Sequence, residues 1–221
     1  MAIFGRNTKM MKSSNDNEYF IDFSISPIIT CPNAGACKKG CYAMSGRYIN
    51  PIVKAKHSRN TFLTFNLGEF KTVAENELRE KCKNPKKRLF VRIHSSGDFY
   101  SIGYLRTWIE IAKKFPDVTF YGYTKMVSMF KAHIDEIPAN MIFAYSFGGK
   151  EDRLIDVNTD KHAFVFETKD ALIKAGYDDG STTDKIVMLT NRIGLVYHNG
   201  NMRYDRSNFK SVQIPIISEV L

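Results

Sequence analysis

Short apolar runs of strand length alternate along this chain with longer stretches of helical periodicity, and this alternation restricts the fold more than any other feature. The strand-like runs lie at 19–25, 89–94, 118–124, 141–147, 162–166 and 185–189. Helices are predicted between them over 51–65, 67–81, 101–115, 126–137 and 169–175. Pro51 suits a first helical turn. Leu105, Trp108, Ile109 and Ala112 share one face of the helix at 101–115. Strands separated by helices pair in parallel, because each helix carries the chain back to the edge where the last strand began. An open twisted sheet and a closed or partial barrel both satisfy this α/β order, and in both the ligands gather at the carboxyl ends of the strands. A hairpin turning at Asn199-Gly200 is predicted over 195–204. The expected organisation is a single domain over 1–221, with a polar segment at 1–18, a βα core at 19–192 and a hairpin and tail at 193–221.

Composition excludes several classes. With 43% hydrophobic residues in 221, the chain can bury a core without disulfide staples. No run of about 18 apolar residues is present, so no membrane span is expected. The polar start carries no signal-peptide core, which predicts a cytoplasmic protein in a reducing compartment. The net charge is +9, and residues 51–92 hold eleven Lys and Arg against four Glu, densest at Lys81, Lys83, Lys86, Lys87 and Arg88. No nucleic-acid-binding motif accompanies that stretch. It reads either as a solvated basic face or as a surface for nucleic acid or another anionic partner.

The carboxyl end of the first strand carries Cys31-Pro-Asn-Ala-Gly-Ala-Cys37-Lys-Lys-Gly-Cys41, followed by Tyr42-Ala43. In a reducing compartment, three clustered thiols favour metal or redox chemistry over disulfides. Three soft ligands on one loop can hold an iron–sulfur cluster and leave one iron open. Structural zinc prefers four ligands arriving as CxxC-like pairs, and a spacing of five then three residues suits it poorly. Unligated thiols are the third reading. Further candidate ligands are Cys82, His57 and His94, with Cys82 in a basic stretch that reads more simply as a structural thiol.

The second strand ends in Arg92-Ile93-His94-Ser95-Ser96-Gly97-Asp98-Phe99-Tyr100. Alternation puts Phe90, Arg92 and His94 on one face and Leu89, Val91 and Ile93 on the other. An Arg and a His against an apolar layer would be costly, so that face is expected to line the site. His94 is expected beside the cysteine loop as a metal ligand, a donor to a cluster sulfide or an acid–base group. Asp98 either accepts hydrogen bonds from the site or caps the helix starting at Ser101. Tyr121, Tyr123 and Lys125 share one face of the third strand, as pocket lining or as packing. His57, His133, His162 and His198 show no partner pattern, and the chain has no Ser-His-Asp order, phosphate-binding loop, GxGxxG or HExxH.

The order of strand, three-cysteine loop, helix and further βα units resembles the radical-SAM core, a partial parallel (β/α)6 barrel. That resemblance implies a [4Fe–4S] cluster on Cys31, Cys37 and Cys41, with S-adenosylmethionine capping the open iron. Two features depart from it: the superfamily's spacing is three then two residues, and its Gly-Gly-Glu-type stretch after the second strand is missing here. The two-part motif of Thr30-Cys31-Pro32, Cys37, Cys41-Tyr42-Ala43 and Arg92 to Tyr100 more closely resembles a family of small phage proteins called gene product 88. It implies a phage or prophage origin, hence the host cytoplasm, and transfers no reaction. The function expected is an iron–sulfur protein that activates a small molecule at the open iron, with Arg92, His94 and Asp98 lining the cavity. The alternative is a non-catalytic binding protein, stabilised by zinc or iron–sulfur, for nucleic acid or a host protein.

Overall fold

Strand order decides between the two architectures that alternation leaves open. The computed structural model describes residues 2–84 and 86–196. Within them, seven strands form one all-parallel sheet: β1 (Glu18–Phe23), β2 (Arg88–Ile93), β3 (Thr119–Thr124), β4 (Met141–Ser146), β5 (His162–Phe166), β6 (Asp178–Asp179) and β7 (Arg192–Val196). Their order is β1-β2-β3-β4-β5-β7-β6. From β1 to β5 every crossover steps in the same direction. Right-handed crossovers then place their helices on one face, whereas a doubly wound sheet would reverse direction midway. The result is a mixed α/β chain whose parallel strands curl into a half-barrel.

The convex face carries the larger core. Leu89, Val91 and Ile93 of β2 pack with Ile21 and Phe23 against α3 (Leu67–Lys81) and α4 (Ile102–Lys114), whose Phe70, Ala74, Leu78, Tyr104, Leu105 and Trp108 are fully buried. Trp108 meets Phe23 and Phe70 edge-on, with ring centroids 5.4 and 5.3 Å apart. Burying each such side chain contributes roughly 1.5–3 kcal/mol. Ser101 caps α4 by accepting from the Tyr104 amide at 3.2 Å. Helix α2 (Pro51–Thr64) buries His57, Asn60, Thr61 and Thr64 instead of an apolar stripe. Its Asn60 amide donates to the carbonyls of Ile3 and Ser24, both at 3.0 Å.

On the concave face Phe20 stacks on Phe90 at 4.5 Å beside Tyr121, Ala144, Ala163 and Ile193. Two features here depart from expectation. The segment before β1 is part of the core: Ile3 and Phe4 join the convex cluster, and Met10 of α1 (Thr8–Ser13) is fully buried in the concave one. Residues 185–189, expected as a strand, contain the short helix α7 (Ile186–Leu189), which lays Val187 on the concave face. A short apolar run serves either conformation, and here the place beside β5 is taken by β7. The predicted hairpin at 195–204 begins in β7, and its residues from 197 onward lie outside the described residues. Helices α5 (Val127–Ala132) and α6 (Lys169–Lys174) fall where the periodicity placed them, in shorter form.

Candidate functional site

The two sequence motifs interlock at the carboxyl end of the sheet. Ile25 donates its amide to the Ser96 carbonyl at 3.1 Å, and the Ser96 hydroxyl returns a bond to the Ile25 carbonyl at 2.9 Å. Gly97 has φ +88°, and a Cβ there would stand 2.3 Å from Ile25 and 2.8 Å from the Thr30 hydroxyl. Only glycine allows the second motif to close on the stretch that leads into Cys31. Thr30 fastens that stretch by donating to the Ser26 carbonyl at 2.6 Å.

The cysteine loop then crosses to the end of β4. Gly35 and Cys37 donate their amides to the Gly148 carbonyl at 3.2 and 3.1 Å, and Lys150 donates its amide to the Asn33 carbonyl at 2.9 Å. A Cβ on Gly35 would lie 2.8 Å from the Gly149 backbone, so this contact also requires glycine. Asp152 shapes the receiving turn by accepting from the amides of Gly148 and Gly149, each at 2.8 Å. Beyond the loop, the hydroxyls of Tyr42 and Tyr48 both donate to the Ser95 carbonyl, the second at 3.3 Å. The sequence signal for the β4 contribution is the Gly-Gly pair closing a strand with an Asp three residues on.

All three loop cysteines are half-buried free thiols. Cys31 lies in the field of Asp98, Cys41 and Cys37, and Cys41 in that of Cys37 and Lys125. Burial, reinforced by Asp98, pushes the Cys31 thiol up to about 12. Burial raises Cys41 as well. Lys125 is anchored at the rim, donating to the Ser146 hydroxyl at 2.7 Å and to the carbonyls of Ser146 and Phe147 at 3.2 and 3.0 Å. As the side chains stand, no three His, Cys, Asp or Glu groups among the described residues are arranged to hold a metal ion. The residue types alone are those a soft metal takes: three free thiols on one loop, beside an anchored ammonium.

Asp98 is buried and ties two turns together. It accepts from the Phe99 amide and the Thr124 hydroxyl, both at 2.8 Å, and from the Lys125 amide at 2.9 Å. The expected cap of α4 is Ser101 instead. Burial pushes the Asp98 carboxyl up, opposed by those three bonds.

Arg92 lines the concave face as alternation predicts. Its guanidinium donates to Asp184 at 3.0 Å, Lys9 reaches the same oxygen at 3.1 Å, and the Tyr121 hydroxyl donates to the other at 3.1 Å. The guanidinium also lies 5.3 Å over the Tyr123 ring. Arg92 Nε and the Tyr123 hydroxyl are buried without a hydrogen-bond partner among the described residues. Asp184 was invisible to sequence reasoning, because it meets Arg92 across 92 positions of chain.

His94 departs from the expected direction. Its φ of +67° breaks the strand alternation, and the ring turns into the convex core, 4.7 Å from Phe99 and 2.9 Å from the Tyr104 hydroxyl. Burial lowers its pKa to about 3, so the ring is neutral. Its hydrogen-bond partner is thus a core tyrosine and not a group of the cysteine loop. Cys82 follows α3 at the start of the turn into β2, the amino end of the sheet. The six residues of β2 separate it from the loop by roughly 20 Å. His57, by contrast, packs 5.9 Å from Tyr48 near the loop, and burial lowers its pKa.

Comparison with known proteins adds sequence kinship. The protein-family model described as Gene product 88 matches residues 1–211. The "Gene 88 protein" of Mycobacterium phage D29 is 29% identical over 103 residues, covering 44% of this chain and 43% of the relative. Its counterpart in Mycobacterium phage L5 is 30% identical over the same length and with the same coverage. The matched stretch thus spans less than half the length of each of these curated relatives. No solved structure matches the chain. The model match extends over both motifs and every described strand, and the chain therefore belongs to the Gene product 88 family of phage proteins.

Proposed function

We propose that this protein holds a [4Fe–4S] cluster on Cys31, Cys37 and Cys41, at the mouth of a half-barrel that corresponds to the radical-SAM core. The observation that supports this reading is the interlock of the two motifs, which seats the loop carrying three free thiols over the carboxyl ends of parallel strands. When bound to three thiolates, such a cluster supplies one iron with a coordination position left for a small molecule.

The chain's own residues have separable roles. Gly35, Gly148 and Asp152 dock the loop, and Tyr42 and Tyr48 anchor its far end to Ser95. Lys125 places positive charge near a centre that would be anionic, and Arg92 lies in reach of the Tyr42 that follows Cys41. Asp98 positions Lys125 by holding its backbone amide. His94, turned toward Tyr104 in the core, has the role of a positioning residue for the β2 end in this reading. S-adenosylmethionine is a candidate ligand of the open iron, but the stretch that holds its amine in the radical-SAM superfamily has no counterpart after β2, so little cleavage to 5′-deoxyadenosine is expected.

Anaerobic reconstitution with iron and sulfide tests the reading. Brown protein with about four irons per chain is expected, with most iron lost in Cys31→Ala, Cys37→Ala or Cys41→Ala and retained in Cys82→Ala. Full iron content in Cys37→Ala, or colourless protein that takes up zinc instead, would overturn it.

A further inference from the structure

The amino end of the sheet, opposite the cysteine loop, carries a second feature. A cavity of about 310 Å³ lies there, lined by Tyr19, Lys81, Asn84, Lys87 and Leu89. This is at the small end of ligand-sized clefts, which run from roughly 300 to 1,000 Å³. Among the described residues its lining combines a buried apolar residue (Leu89), an aromatic ring, an amide and two ammonium groups, with no carboxylate.

The charges around it are unbalanced. Lys87 and its neighbour Lys86 have no ion pair among the described residues, and Arg88 beside them faces Glu18 across the sheet without closing to ion-pair distance. Lys81 has only a 3.4 Å pairing with Glu77, whose other oxygen is taken by the Ile3 amide at 2.7 Å. The aromatic wall is braced: the Arg6 guanidinium lies 4.5 Å over the Tyr19 ring, itself held by bonds to the Phe20 carbonyl at 3.1 Å and the Ser14 hydroxyl at 2.9 Å. Two ammonium groups, of which Lys87 has no acid partner among the described residues and Lys81 only the 3.4 Å one, suit a phosphate. Cations continuing past the hollow suit a chain of phosphates, and a braced aromatic wall suits the face of an unpaired base.

We propose that this hollow binds single-stranded nucleic acid, with a phosphate at Lys81 and Lys87 and a base against the Tyr19 ring. It shares no residue with the cysteine site, so its failure and that of the iron–sulfur reading are independent. The test uses the full chain and a fluorescein-labelled oligothymidylate of about 15 nucleotides, long enough for a single-strand site, with anisotropy read over a salt series. Binding should be measurable at low salt and fall linearly on logarithmic axes. Lys87→Glu should weaken it about tenfold and lower the salt slope by about one or more. Tyr19→Leu should weaken the single strand about tenfold while leaving any binding to a duplex of equal length unchanged. Lys87 is exposed, so its variant should melt like the parent and remain informative even if Tyr19→Leu fails to fold. No binding at low salt, parental affinity in Lys87→Glu, or duplex bound as tightly as single strand would each overturn the proposal.

Discussion

Asp184→Asn removes one negative charge from the centre of the concave face while keeping the size of the side chain. The carboxylate is fully buried, and one of its oxygens faces both Arg92 and Lys9. Arg92 is 12% exposed at its side chain and has no other acid within ion-pair distance among the described residues. Breaking a buried pair from one side costs about 3–5 kcal/mol, because a charge is left without compensation. Lys9, at 23% exposure, can turn toward water, which places the expected loss near the lower bound, at about 3 kcal/mol. Urea unfolding followed by circular dichroism at neutral pH should show a lower midpoint with an unchanged slope. Replacing both partners, as in Arg92→Met with Asp184→Leu, should cost less than Asp184→Asn alone. Acid provides a second arm. Burial would raise the Asp184 carboxyl, but Arg92 and Lys9 overcome it and hold the group below the usual carboxylate range. Its contribution is therefore complete above an unfolded-state value of about 3.9 and is lost as pH falls through the lower folded value. The variant should show a flatter acid limb. A loss under about 1 kcal/mol together with an unchanged acid limb would refute the reasoning, since exposed pairs behave that way.

Other parts of the site give separate tests. Asp98→Ala leaves two backbone amides and the Thr124 hydroxyl without their acceptor, and should lower unfolding free energy by about 3 kcal/mol in denaturant titration. An effect below about 1 kcal/mol would mean that water replaces the carboxylate. Gly35→Val should push the cysteine loop off the Gly149 backbone and cut reconstituted iron more than it lowers the melting temperature. Parental iron content would show that the docking contact is dispensable. The His94 ring should remain neutral in NMR titrations between about pH 5 and 8, because its folded pKa of about 3 lies far below the unfolded value of about 6.5. Its burial therefore stabilises fully above the unfolded value and progressively less as pH falls below it. An imidazole resonance of His94 moving near neutrality would contradict that placement.

Local pattern was enough to specify the parallel α/β class, the helices 51–65, 67–81 and 101–115 to within a residue or two, and the division of β2 into an apolar face and a face carrying Phe90 and Arg92. These follow from periodicity and helix-end chemistry, which act between residues a few positions apart. Sequence also placed the cysteine loop and the Ser95–Asp98 turn at strand ends. It could not show that they lock together, since the Ile25–Ser96 bonds join residues 71 positions apart. His94 shows where alternation stops being informative: one residue at positive φ sends the ring into the convex core instead of the site. The conformation of 185–189, the burial of Met10 and the pairing of Arg92 with Asp184 were likewise decided by what covers the concave face. A short apolar run or a lone acid has no preferred partner until the sheet has curled, because burial and Coulomb interactions depend on distance in space and not on separation along the chain.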